Sequence, residues 1–233
     1  MRLRELCSKQ KTALGNQLIA LLAEFNISSS NRNGDLRGAI ESTLENASND
    51  FSDEFRKALG EAWKLYLTVS ESLVTYDECL EASIEVHPEC KKLLKLEGVG
   101  PILEGVGPIN AINLYIALGC AELGSFTKGK DASACIGLTP LQHSSGGKNK
   151  IGSIGKHVKN TTIRSQLITG AAASVRHIIR RDAKTYKEKW IQDLVARRGI
   201  KCTTVALANK TVRTAFAMLT QGTEYKAKII LDC

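Results

Sequence analysis

Between Gly137 and Lys150 the chain reads Gly-Leu-Thr-Pro-Leu-Gln-His-Ser-Ser-Gly-Gly-Lys-Asn-Lys, which sets two adjacent serines beside two glycines and two lysines. These groups suit chemistry on a phosphodiester. Gly146 and Gly147 allow the backbone to approach a phosphate closely, Lys148 and Lys150 would neutralise it, and the Ser144 or Ser145 oxygen could attack it. From the residues alone the same Ser-Ser-Gly-Gly also reads as a flexible turn. His143 could act as a base, although a histidine in a basic loop is more often a phosphate or water contact.

A second motif, Gly105-Val106-Gly107-Pro108-Ile109-Asn110-Ala111, runs directly into an apolar stretch from Ile112 to Leu118. It resembles a helix-hairpin-helix. There the glycines permit a tight turn whose backbone N–H groups, with the following helix N-terminus, face a phosphate oxygen without reading sequence. A plain glycine turn between two helices is the competing reading. The motif sits in a tandem repeat, Leu-Glu-Gly-Val-Gly-Pro-Ile at 96–102 and again at 103–109, best taken as a local insertion rather than a solenoid period.

Charge favours nucleic acid as the partner of these motifs. The net charge of +8 is unevenly divided: residues 1–95 hold 12 Lys/Arg against 15 Asp/Glu, whereas 96–233 hold 20 against 9. Within 128–213 there are 18 basic and 4 acidic residues, a density suited to a polyanion. Arg176, Arg180 and Arg181 fall near one helical face, with Lys184, Lys187 and Lys189 less tightly grouped; Lys156 and Arg164 lie upstream. Scarcity of neighbouring carboxylates favours phosphate or RNA contact over a merely solvated face. Trp63 and Trp190 read as core residues.

The elements that must position these groups are helical. Leu3, Leu6, Leu14, Leu18, Leu21, Leu22 and Phe25 keep mostly helical spacing and end in a Ser/Asn-rich loop. From Phe55, the positions Leu59, Ala62, Tyr66, Val69, Leu73, Tyr76, Leu80 and Ser83 alternate steps of four and three, a heptad seam. Its surroundings are acidic, with 13 acidic against 4 basic residues from Asp35 to Glu89, so this region should pack on itself or on a second subunit. Pro88 ends that helix. Further helices follow, broken at Gly124, Gly137, Gly146-Gly147 and Gly199, with no convincing strand pattern.

The expected fold is therefore all-α: a long coiled-coil-like helical hairpin, then a compact helical domain containing the helix-hairpin-helix. The expected segments are a linking helix at 1–30, acidic coiled-coil-like helices at 31–92, the basic domain at 93–226 and a tail at 227–233. Seven scattered cysteines without a C-x-x-C pair suggest a reducing cytoplasm and no zinc site, and no apolar run is long enough to span a bilayer.

The ordered set Gly-Val-Gly-Pro-Ile-Asn-Ala, Gly119-Cys120-Ala121-Glu122-Leu123-Gly124-Ser125-Phe126, Asp131 through Pro140 and Gln142 through Lys148 resembles the C-terminal transposase domain of bridge-RNA-guided insertion-sequence transposases, relatives of the pilin-gene invertases. Arg164 to Ala173 and Val205 to Tyr225 are similar to that family's final helices. The resemblance implies a serine that attacks DNA, with Ser145 the first choice and Ser144 the second, a phosphoserine intermediate and strand exchange. It also implies a guide RNA, and a coiled coil that joins subunits into a homo-oligomer. A RuvC-like domain with four acidic metal ligands belongs to the family as well. Nothing in this sequence matches it, so the expectation is a truncated copy that binds no cofactor itself, Mg2+ being needed only by the full-length enzyme.

The tandem heptapeptide and the segment Ile154 to Asn160 depart from the family pattern. Two other readings stay open: a non-catalytic DNA- or RNA-binding module, including a decayed remnant, and a helical oligomerisation protein. The basic half predicts that the chain retards DNA in a gel-shift assay, with affinity falling at least about tenfold between ~50 and ~200 mM salt. Absence of any shift at low salt would leave the oligomerisation reading.

Overall fold

The computed structural model describes residues 1–30, 35–46, 51–96, 107–118, 126–145, 147–155 and 161–230. Most of the tandem heptapeptide lies outside them. Two compact units divide the chain, Met1–Leu80 and Glu81–Cys233.

The first unit is built from α1 (Arg2–Glu24), α2 (Asp35–Glu45) and most of α3 (Asp53–Val86). Leu18 and Leu22 of α1, Leu36 and Ile40 of α2, and Leu59 and Trp63 of α3 close one apolar core. Helix α1 runs antiparallel to α3. Arg4 pairs with Asp77 near one end, Lys11 Nζ sits 5.7 Å from the Tyr66 ring centre in the middle, and Phe25 meets Phe55 at 4.8 Å near the other. Along the heptad seam Leu59 is buried, Phe55 and the positions from Ala62 to Leu80 are half-buried, and Ser83 is exposed. Intramolecular packing on α1 and α2 thus covers part of the seam. The residues between the seam positions, Glu54, Glu61, Glu71 and Glu78 among them, are exposed.

The second unit holds α4 (Pro88–Leu93), α5 (Gly107–Leu118), α6 (Gly129–Cys135), β1 (Pro140–Ser145), β2 (Lys148–Ile154), α7 (Thr161–Ile178) and α8 (Tyr186–Gln221). Helix α8 is the element on which α4, α5, α6 and α7 converge. Its Ile191, Leu207, Val212 and Ala215 are wholly buried, alongside Leu93, Leu114, Leu167 and Val175. The helix is interrupted at Gly199, whose backbone is not helical (φ 77°, ψ 168°), as the sequence predicts.

The fold is mostly α-helical, as expected, with one addition: β1 and β2 form an antiparallel hairpin where the sequence suggested only a loop. Ser145 pairs with Lys148, so Gly146-Gly147 is the two-residue link that such hairpins favour. The ribbon's described side chains are exposed or half-buried, Ile151 on β2 being 76% exposed, so the strands lack the β-branched alternation of a half-buried sheet.

The start of α8 is held by charge and capping together. Thr185 Oγ1 accepts from the Glu188 backbone N–H at 3.1 Å, and the Glu188 carboxylate accepts from Arg181 at 2.6 and 3.1 Å and from the Lys184 N–H at 2.6 Å. Burial by itself would raise the Glu188 pKa, but the hydrogen bonds and charge of Arg181 with the Lys184 and Thr185 N–H groups hold it below its ordinary value. A lowered carboxylate stabilises the fold above its ordinary pKa and loses that contribution as pH falls through the lowered one. Glu188→Gln should therefore cost about 1–3 kcal/mol near neutral pH. In urea melts the deficit should be full above about pH 5 and shrink under more acidic conditions.

Candidate nucleic-acid interface

The hairpin that carries the serines is anchored at its base. Helix α6 ends in a six-to-one turn: Gly137 adopts φ 78°, its N–H donates to Ala134 O at 2.9 Å, and the Leu138 N–H donates to Ser133 O at 3.0 Å. Leu138 is then buried and its carbonyl accepts from Asn209 Nδ2 of α8 at 3.1 Å. Across the same base, Arg164 of α7 donates from Nε to Gly137 O at 3.1 Å and from its terminal nitrogen to Ile154 O at 3.4 Å. Its guanidinium lies against Gly155 (φ 80°), where a Cβ would collide with it.

This clasp accounts for Arg164, named above for DNA contact: the side chain is half-buried and committed to two carbonyls of its own chain. Arg181 is likewise committed to Glu188. Arg176 and Arg180 are exposed on α7 and the residues after it. Ser144 and Ser145 occupy the last two positions of β1, paired with Asn149 and Lys148; Gly147 and Lys148 are exposed. Lys150 pairs with His143 in the ribbon. Gly105, Val106, Gly146 and Lys156 lie outside the described residues.

In the glycine motif, Gly107 opens α5 and is buried with Asn110, while Ile109 is half-buried. Asn110 Nδ2 donates to Gln166 O at 3.4 Å, and Asn113 donates to the Gln166 side chain. These amides fasten α5 to α7. Any phosphate contact by this segment must therefore come from backbone N–H groups rather than from the Asn110 side chain.

A different surface gathers the cations. An open groove of about 1300 Å3 runs along α8 between the start of α6 and the hairpin base at Pro140 and Ile154. Five basic residues line it, Lys128, Lys130, Lys201, Lys210 and Arg213, and among the described residues no acidic one does. All five are exposed, and none is in a salt bridge among the described residues. Trp190 is half-buried here rather than in the core, with Lys210 Nζ 4.3 Å from its ring centre. The signal for this face was present in the sequence: Cys202, Ala206, Asn209, Arg213, Phe216 and Thr220 recur at alternating steps of four and three along one side of a helix. Lys128 and Lys130 join it only through the tertiary packing of α6.

Among the described residues no three His, Cys, Asp or Glu side chains come together as metal ligands. No helix among them is long and apolar enough to cross a membrane.

Residues 90–188 match the family model described as Transposase IS116/IS110/IS902 family. Over 97% of its length the chain is 29% identical to the transposase for insertion sequence element IS1111A of Coxiella burnetii, covering 59% of that protein. It is 31% identical over 97% of its length to a probable family 20 transposase of Pseudomonas aeruginosa, covering 63%. It is 30% identical over 96% of its length to the putative transposase y4pF/y4sB of Sinorhizobium fredii, covering 54%. The chain thus spans somewhat over half the length of these relatives. Over nearly its whole length the chain is thus similar to transposases.

The Arg164 clasp has a measurable consequence. Arg164→Ala should lower unfolding free energy by about 1–3 kcal/mol, since two partly buried carbonyls lose a charged donor. Arg164→Lys, which keeps the charge but not the planar fork, should recover only a fraction of the loss in the same urea titration.

Proposed function

We propose that this chain is part of an insertion-sequence transposase that binds DNA and supplies the serine nucleophile for strand cleavage and exchange. The reading rests above all on the match to transposases, whose family-model span of residues 90–188 includes the whole hairpin segment with Ser144 and Ser145. In it the Ser145 oxygen attacks a backbone phosphorus, a strand oxygen leaves, and a phosphoserine link holds the end for exchange. Ser144 is the second choice. The glycine link and Lys148 serve phosphate approach and neutralisation.

Binding is the work of the basic half. Backbone N–H groups of the Gly105–Asn110 segment, with the exposed Arg176 and Arg180, are proposed to hold the phosphate backbone. A guide RNA pairing with DNA is proposed as a second nucleic-acid partner, and self-association through the α3 seam as the route to a homo-oligomer. A non-catalytic nucleic-acid-binding role is the second reading, favoured by the five cations of the α8 groove, none of them in a salt bridge among the described residues.

The covalent link separates the two. When this chain replaces the corresponding region of a full-length transposase of the same type, DNA cleavage should leave a protein–DNA adduct on denaturing gels. Ser145→Ala should abolish it, while Ser144→Ala should leave at least part. An undiminished adduct in the Ser145→Ala protein removes Ser145 from the mechanism.

A further inference from the structure

We infer that the groove along α8 is a seat for the phosphodiester backbone of a nucleic-acid strand, separate from the serine hairpin tip. The inference rests on the reading that this chain handles nucleic acid, but not on any covalent step. Its support is the composition and layout of the lining. The second part of α8, after Gly199, presents a face whose middle is Ala206, Asn209, Arg213 and Phe216, with Lys201 and Lys210 on its flanks. From Lys201 to Arg213 the axial rise is about 18 Å, enough to follow several successive phosphates. Lys128 and Lys130 add positive charge from the facing wall.

Small residues along this face, Ala206, Thr214 and Ala217, leave room for a backbone to approach the helix. Five cations, with no lining carboxylate among the described residues, create a field that concentrates a polyanion and resists an ordinary acidic–basic protein surface. An acidic polypeptide would meet the same charge. The similarity to transposases of DNA elements decides in favour of nucleic acid. Trp190 already has Lys210 over its ring, so the groove is suited to holding a backbone rather than to stacking a base on that tryptophan.

Cys202 lies in this lining and is exposed, which makes it an internal reporter; exposed Cys79 of the first unit serves as its comparison. The intact chain would be titrated with single-stranded DNA, duplex DNA and single-stranded RNA of equal length, and separately with polyglutamate. Thiol alkylation would then be followed residue by residue by mass spectrometry. Bound nucleic acid should slow alkylation of Cys202 at least about fivefold and leave Cys79 unchanged, and the arm giving the greatest protection identifies the strand.

In parallel, the triple variant Lys201→Glu, Lys210→Glu, Arg213→Glu should lose at least tenfold affinity at moderate salt. It should also flatten the slope of log K against log salt by about 2 to 3. Lys57→Glu, an exposed charge reversal on α3, should do neither. Lys201→Gln with Arg213→Gln, two exposed positions away from the Trp190 ring, gives a milder version should the triple variant melt early. Equal alkylation of Cys202 with and without bound nucleic acid would overturn the assignment. So would equal losses in the triple variant and Lys57→Glu, or protection by polyglutamate alone. Each is read without the serine, so its failure is distinct from that of the adduct experiment.

Discussion

One guanidinium fixes the geometry of the second unit's only ribbon among the described residues. Arg164 donates to carbonyls at both ends of the segment that contains the hairpin, Gly137 O before β1 and Ile154 O after β2. A two-stranded ribbon on its own is marginal in water, because it buries too little apolar surface to offset the ordering of its backbone. Here the ends are closed by a charged, planar donor set on a packed helix, while Leu138 and Asn209 fasten the entry strand to α8. Gly155 is part of the same device: any side chain there would displace the guanidinium.

A second constraint is the partition of charge. The first unit turns its acidic positions outward around a core of Leu18, Leu22, Ile40 and Leu59, and the second carries the basic excess on helix surfaces. Within that second unit the arginines and lysines divide again by whether a carboxylate or carbonyl claims them. Arg164 and Arg181 are claimed and hold the fold, whereas Lys128, Lys130, Lys201, Lys210 and Arg213 have no salt-bridge partner among the described residues and share one groove. A charged side chain held by a neighbour contributes mainly to stability; one left in solvent beside others of its sign contributes to the field that a polyanion meets.

The helices and the Gly199 break were legible in the sequence because each rests on local periodicity or a local backbone preference. Leu59 and Trp63 fall inside, and Gly199 interrupts α8, for reasons visible within a few residues. The hairpin was less legible, since Gln142 to Ser145 and Lys148 to Ile151 lack the apolar alternation that marks a half-buried strand; the Gly-Gly link was its one local signal. The roles of Arg164 and Asn110 could not be read at all. Both residue types suit phosphate contact in isolation, and only tertiary packing against Gly155 and Gln166 turns them inward.

Trp190 shows the same limit from the opposite direction. Composition assigns a tryptophan to the core, yet this one sits half-buried at the groove with a lysine ammonium over its face. That placement has an energetic logic. Lys210 keeps its charge in the groove while the indole holds the ammonium in one region, so the cation is ordered before any ligand arrives and less entropy is lost when a phosphate meets it. Arg213, less than one helical turn along, has an equally mobile stem but ends in a planar, pre-organised fork, so less entropy is lost per hydrogen bond formed. The groove therefore combines an ammonium steadied by an aromatic ring with an intrinsically rigid fork. Both stand on a helix whose inner face, through Leu207, Val212 and Ala215, is locked into the core.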